Sequence, residues 1–321
     1  MKDIFFLRSA DSWPASANIT VIKDKDGLIL FDVGCGLQRN VKILLEKLNM
    51  EKLNIRDVHT IVISHAHADH MGAIEEIYPM LQQHKVKILI NKLEKEIGLN
   101  ISLLNHTFEM ELIESHLALA VDDKYADFTK VNKFFERMCP MSALPKNAAI
   151  DIIHDGETLK LGNYEFEVIV TPGHSPGHTS FYEINRKFLL PGDLVGDAAS
   201  VWYSPRSGGV VEYLNSLEKI NTRKIEHAFP SHGHSFSNIG ERINDVRKII
   251  NQRNDHILEF IKQGPCTVLD LTEKLFDIKY YRILPGIMIV ESHLQKLEEE
   301  NKISRKEGFI FYTNHTPQIF C

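Results

Sequence analysis

The sequence predicts an α/β fold, and three observations carry that expectation. Short β-branched runs alternate with helical patterns between residues 19 and 90, alternating apolar patterns return between residues 155 and 229, and four strands run directly into small-residue loops that carry histidine or aspartate. With 321 residues, 43% of them hydrophobic and 25% charged, the chain has room for a full core and, at ~150 residues per domain, for about two domains.

Residues 19–22 and 28–32 read as two strands joined by the turn Asp24-Lys25-Asp26-Gly27, after which the chain bends at Gly34-Cys35-Gly36. Val41, Leu44, Leu45 and Leu48 fall at helical spacing. Thr60-Ile61-Val62-Ile63 reads as a buried strand, a helix begins at Gly72-Ala73-Ile74, and residues 86–90 read as the next strand. Residues 91–147 turn to helical segments such as 97–104 and 128–138 and predict a helical insertion. It reads either as a lid lending Phe128, Phe134, Phe135, Met138 and Met141 to a pocket wall, or as plain core or dimer packing. Strands over 155–162 and 164–170 flank a Gly162-Asn163 turn, and further strands are expected at 187–190 and 227–229.

From Gly240 a long amphipathic helix carries Ile243, Val246, Ile250, Ile257 and Ile261 on one face and closes at Gly264-Pro265. Thr267 caps a short helix to Phe276, residues 285–301 form another, and residues 302–313 read as a hairpin turning at Glu307-Gly308. The expected division is therefore 1–240 and 241–321, the second part winged-helix-like. That part holds 12 Lys+Arg against 12 Asp+Glu, so it has no basic surplus to neutralise phosphates. Packing against the first domain or a second subunit is its expected role.

The chemistry gathers in the loops. His65-Ala66-His67-Ala68-Asp69-His70 places four candidate metal ligands in six residues directly behind a buried strand. Imidazoles and carboxylates suit borderline divalent metals, and the two alanines let the backbone fold tightly around an ion. In Thr171-Pro172-Gly173-His174-Ser175-Pro176-Gly177-His178, prolines and glycines fix the backbone and hold both histidines at defined positions. Pro191-Gly192-Asp193 and Pro230-Ser231-His232-Gly233-His234 end two further strands.

Composition sets limits on partners. A net charge of -6 gives no electrostatic case for a general nucleic-acid or anionic-membrane binder, so a small-molecule substrate is expected. The N-terminal apolar run breaks at Arg8, too short for a signal h-region and far below the ~20 residues of a membrane span, which predicts a cytoplasmic protein. Cys35, Cys139, Cys266 and Cys321 are widely spaced with no C-x-x-C, so a metal would use nitrogen and oxygen ligands.

In this order, His65-x-His67-x-Asp69-His70, Thr171-Pro172-Gly173-His174, Gly192-Asp193 and Pro230-Ser231-His232-Gly233 resemble the metallo-β-lactamase superfamily over roughly residues 15–240. Asp32-Val33-Gly34 is similar to the Asp-x-Gly that precedes them in that family. The resemblance implies a four-layer αββα sandwich. The helical insertion and tail look most like the hydrolase subgroup that includes β-lactamase-like protein 2. Carried over residue by residue, it implies that His65, His67 and His174 hold one metal, that Asp69, His70 and His232 hold a second, and that Asp193 bridges both. This pattern resembles binuclear zinc hydrolases of the glyoxalase II and ribonuclease Z type. True β-lactamases commonly lack the bridging aspartate, so an antibiotic substrate is not expected.

Two divalent transition-metal ions, zinc first and iron or manganese next, can share a water and lower its pKa, making hydroxide available as a nucleophile. The expected activity is hydrolysis of an ester, thioester, lactone or phosphodiester, with Asp69 orienting the nucleophile and passing a proton to the leaving group. His178 and His234 are expected to support the loops, and Asp32 either to orient a ligand or to cap its turn. Three alternatives share the motifs: a mononuclear iron persulfide dioxygenase, a metabolite-binding regulatory protein, and an endoribonuclease. The complete seven-ligand set argues for two metals.

Overall fold

Turn chemistry and period-2 patterning build two facing sheets in a computed structural model of the chain, which describes residues 2–9, 16–82, 85–107, 109–118, 142–197, 202–276 and 283–313. The first sheet comprises β1 (Ile4–Leu7), β2 (Ile19–Lys23), β3 (Leu28–Phe31), β4 (Val58–Ile63), β5 (Lys87–Asn91) and β6 (Ala149–Ile153), in that order across the sheet. The pairs β3/β4, β4/β5 and β5/β6 are parallel. Between these strands lie α1 (Gln38–Met50), α2 (Ala68–Met71), α3 (Ile74–Ile77), α4 (Lys92–Gly98), α5 (Ile101–Thr107) and α6 (Met110–Leu117).

The second sheet contains β7 (Thr158–Leu161), β8 (Tyr164–Val170), β9 (Thr179–Glu183), β10 (Phe188–Leu190) and β11 (His227–Ala228), ordered β11-β10-β9-β8-β7. β8 and β10 each run antiparallel to β9, and β11 runs parallel to β10. The C-terminal ends of β8, β10 and β11 therefore emerge on one edge, where topology alone collects the three later motif loops. In the first sheet the parallel β3 and β4 likewise bring Asp32 and residues 64–70 to a common edge.

The layers follow from the side chains. Ile22, Ile29, Phe31, Val62, Phe166, Val168 and Phe181 pack between the two sheets. On the outer face of the first, Val41, Leu44, Leu48, Ile74 and Ile77 cover Leu30, Ile61 and Ile88. On the outer face of the second, Val210, Tyr213 and Leu217 of α7 (Gly209–Asn221) and Ile243, Val246 and Ile250 of α8 (Ile239–Lys262) cover Ile169 and Leu189. Helix, sheet, sheet, helix is the αββα order. The far half of α8 joins a separate core with α9 (Val268–Leu275), α10 (Ile283–Glu299), the hairpin β12 (Ile303–Lys306) and β13 (Phe309–Tyr312), and Ile113 and Leu117 of α6.

Differences from the sequence expectation have physical causes. β9 is buried at all five positions yet contains Thr, Ser and Glu, so its composition hides it; Ser180 is satisfied inside by donating to the Pro191 carbonyl at 3.0 Å. The helix α7 opens at Gly208-Gly209, both with positive φ, which reads as a breaker rather than a start. The helix expected over 97–104 divides into α4 and α5. Residues 128–138, with Phe128, Phe134, Phe135, Met138 and Met141, fall outside the described residues, as do Cys139 and Cys321. Cys35 and Cys266 are buried free thiols. Among the described residues, no helix is long and apolar enough to cross a membrane.

Candidate metal centre

The loop after β4 folds straight into the short helix α2, which carries Asp69 and His70, while His65 and His67 lie in the turn before it. Backbone bonds pin the segment: Val33 and Gly34 donate to the His70 carbonyl at 2.8 and 3.0 Å, and Ala17 donates to that of Asp69 at 2.9 Å. Residues 174, 193 and 232 arrive from β8, β10 and β11. Two groups result, His65–His67–His174 and Asp69–His70–Asp193–His232, with the ligand atoms of each group within 4.8 Å of one another. All seven ligand positions expected from the sequence are brought together.

In the first group His65 Nε2 and His67 Nδ1 are 3.0 Å apart, His67 Nδ1 and His174 Nε2 3.0 Å, and His174 Nε2 and His65 Nε2 3.2 Å. Tetrahedral zinc with Zn–N bonds of ~2.0–2.1 Å separates its ligand nitrogens by about 3.3 Å, so this triangle has the dimensions of a metal-binding face. Tautomers agree. The Trp202 carbonyl, 2.9 Å from His174 Nδ1, can only accept, so His174 carries its proton there and turns the Nε2 lone pair toward the other two histidines.

Asp193 lies between the groups. Its Oδ2 is 3.4 Å from His174 Nε2 and 3.4 Å from His232 Nε2, and its Oδ1 is 3.3 Å from His70 Nε2. His232 Nε2 also meets Asp69 Oδ2 at 3.0 Å. Asp32 accepts from His70 Nδ1 at 2.9 Å and from the Ser64 amide and hydroxyl, each at 2.8 Å, from a left-handed φ of 60°. Asp32 thus aims His70 Nε2 inward and ties its own loop to the Ser64 loop, which is the orienting role of the two the sequence left open.

The electrostatics divide the groups. Burial, with repulsion from neighbouring imidazoles, pushes His65 and His67 well below the ordinary histidine value, and burial lowers His174. For His70 and His232 burial works the same way but the carboxylates overcome it. Asp193, Asp69 and Asp32 hold His70 well above the ordinary value, and Asp193 and Asp69 raise His232 to about 10. Against the same opposing burial, His70 and His232 keep Asp69 at about 2, and His232 and His70 keep Asp193 well below the carboxylate range. The first group offers neutral nitrogens, while the second holds protons where a cation fits, so loading it releases them.

The folded value of His232, about 10, lies above the ordinary 6.5, so its stabilising contribution in metal-free protein is complete below pH ~6.5 and is lost as pH rises through about 10. Metal-free protein is expected to lose more thermal stability than metal-loaded protein between roughly pH 7 and 10. A flat metal-free profile over that window contradicts a carboxylate-held imidazolium.

The two other motif histidines, His178 and His234, stand outside both groups. His178 is fully buried, and its Nε2 accepts the Asp193 amide at 2.9 Å while Nδ1 faces Thr171 Oγ1 at 2.8 Å, so it aims the Asp193 loop. A Cβ on Gly192 would lie 2.5 Å from that Nε2, which is why a glycine stands there. His234 is exposed and pairs with Asp197 Oδ2 at 3.1 Å and with Arg8.

Two supporting residues are invisible in the sequence. Glu94 of α4, 1% exposed, accepts from the Ala66 amide at 2.8 Å, the Gly177 amide at 2.7 Å and Ser175 Oγ at 2.7 Å, and so ties the two histidine loops together. Burial raises its pKa against those three bonds. In Lys92-Leu93-Glu94-Lys95-Glu96 it reads as one more charge on a solvated helix. Asn18 donates to the Pro230 and Gly233 carbonyls at 3.0 Å each and fixes the His232 loop. Trp202 faces the first group, its ring 5.5 Å from His67 and 5.4 Å from His174.

Residues 13–232 match the family model described as the metallo-beta-lactamase superfamily. The chain belongs to that superfamily. Among relatives, it is 22% identical over 329 residues to the probable metallo-hydrolase YqjP of Bacillus subtilis (strain 168), spanning 94% of each chain. It is 21% identical over 229 residues to the acyl-coenzyme A thioesterase MBLAC2 of Homo sapiens, covering 68% of this chain and 74% of that one. The metallo-beta-lactamase family protein TTHA1429 from Thermus thermophilus superposes with a TM-score of 0.78 at 19% identity, over 98% of this chain and 99% of that one. That likeness shows a shared metallo-β-lactamase fold over nearly the whole length, C-terminal helices included.

Proposed function

We propose that the protein is a binuclear metallohydrolase that cleaves an ester or thioester of a small molecule, with lactones and phosphodiesters as further candidates. The observation that carries this reading is the Asp193 carboxylate, within 3.3–3.4 Å of ligand nitrogens from both groups. His65, His67 and His174 would hold one ion, Asp69, His70 and His232 the other, and Asp193 both. Zinc suits this all-nitrogen-and-oxygen set, and iron or manganese could replace it. When bound, such a pair lowers the pKa of a shared water and polarises the oxygen under attack.

The chain's own groups do the rest. Asp69, its side chain 27% exposed and ionised at neutral pH, faces the open side beside His232 and can take the proton of the attacking water and return it to the leaving group. Trp202 supplies an apolar wall beside the first group, suited to an acyl or other apolar substituent. The relation to a human acyl-coenzyme A thioesterase makes thioesters the first class to test. We read residues 241–321 as a winged-helix-like unit whose balanced charge fits packing against the rest of the chain or a second copy better than nucleic acid, and the core it shares with α6 supports that role.

The test is a panel of thioesters, esters, lactones, phosphodiesters and short RNAs, run on zinc-replete, chelator-treated and reloaded protein. Expected is hydrolysis of a thioester or ester that disappears with the chelator and returns with zinc. Replete protein that cleaves none of these classes contradicts the proposal.

A further inference from the structure

The seven ligands leave the C-terminal helix α10 without a part in the chemistry, yet a buried aromatic pair runs from that helix to the site. Tyr203 and Tyr213 are 1% and 0% exposed, with ring centroids 5.1 Å apart. The Tyr203 hydroxyl accepts from Arg253 Nη1 of α8 at 3.2 Å and lies 2.9 Å from His293 Nε2 of α10. Arginine only donates, so the hydroxyl gives its own proton to His293. His293 is fully buried, and among the described residues its other nitrogen, Nδ1, meets no hydrogen-bond partner. An unmet buried N–H opposes folding, and a leucine would pack there without that cost, so packing alone does not explain a histidine at this position.

The other end of the pair reaches the ligands. Trp202, the residue before Tyr203, supplies the carbonyl that receives His174 Nδ1–H at 2.9 Å and the ring beside His67 and His174. Tyr213 donates its hydroxyl to the carbonyl of Leu194, the residue after Asp193. Its backbone also occupies the space of a Cβ on Gly173, 2.6 Å away, beside His174 and at a φ of 123°. Ser204 donates its amide to the Gly173 carbonyl at 3.2 Å, closing the strip from behind.

We propose that Tyr203 is a positioning residue through which α10, by way of His293, sets the orientation of His174 and of the Trp202 wall. The hydroxyl fixes the backbone at 202–203, and the 202 carbonyl in turn decides which His174 nitrogen faces the first group. The inference rests on the reading of His174 as a metal ligand.

The experiment uses full-length protein carrying His232→Ala, which leaves the first group as the zinc site, and Trp13→Phe, which leaves Trp202 as the reporting indole of the two in the chain. Zinc affinity by chelator competition, Trp202 emission without metal, and the thermal midpoint are measured for Tyr203→Phe, His293→Leu and His293→Gln. Tyr203→Phe and His293→Leu are each expected to weaken zinc binding ~10–100-fold and to shift Trp202 emission, with the double variant no worse than either alone. His293→Gln, which can still accept from the hydroxyl, is expected to stay within ~3-fold of its parent. Unchanged zinc affinity and emission in both Tyr203→Phe and His293→Leu, even with a lowered midpoint, overturns this inference alone. A parent that binds no zinc overturns the metal-centre reading and this inference with it.

Discussion

Asp193→Ala is expected to lower turnover by about 10³-fold or more and to deplete bound metal, while His234→Ala stays within ~3-fold of wild type. The asymmetry follows from what each side chain touches. Asp193 stands within 3.3–3.4 Å of His70, His174 and His232, and removing it leaves three imidazoles without their shared anion. His234 meets Asp197 and Arg8 at the exposed rim. Asp193→Asn separates charge from shape, since it keeps the volume but not the anion, and it should fall close to the alanine variant. Equal losses of activity and metal in Asp193→Ala and His234→Ala would show that the rim histidine, not His232, belongs to the site.

The second large effect is expected away from the ligands. Glu94→Ala removes the acceptor of three buried donors, from Ala66, Ser175 and Gly177, and is expected to cost about 3–5 kcal/mol of stability, the scale of breaking a buried charged network. Glu94→Gln should be intermediate. Its amide nitrogen must face at least one of those donors, so a clash replaces a hydrogen bond and the two histidine loops move apart. Zinc affinity is expected to fall ~10–100-fold in Glu94→Gln, the scale for losing a group that orients metal ligands. Denaturant unfolding and chelator competition check the two effects. A Glu94→Ala protein as stable as wild type, with unchanged zinc affinity, would mean that the loops hold themselves.

The candidate ligand positions were legible because each sits in a short, conformationally restricted loop behind an apolar strand, and the loops occur in a distinctive order. Topology explains why motifs read separately meet: β8, β10 and β11 point the same way, so three loops far apart in sequence share one edge. The supporting residues were not legible, because their partners lie in distant segments. Glu94 looks like a surface charge until α4 folds under the loops of residues 66 and 175–177, and His293 lies in a run, Ser292-His293-Leu294, with no catalytic signature. β9 was hidden by the opposite problem, polar side chains inside a sandwich, where Ser180 finds its acceptor in the Pro191 carbonyl of another strand end.

Whether seven side chains hold two ions, with Asp193 shared, is decided by elemental analysis of metal-replete wild-type and His70→Ala protein. Close to two transition-metal ions per wild-type chain are expected, falling to about one in His70→Ala as the second group loses its buried imidazole while His65, His67 and His174 keep theirs. One ion in replete wild-type protein, with His70→Ala leaving that content unchanged, would refute the binuclear assignment.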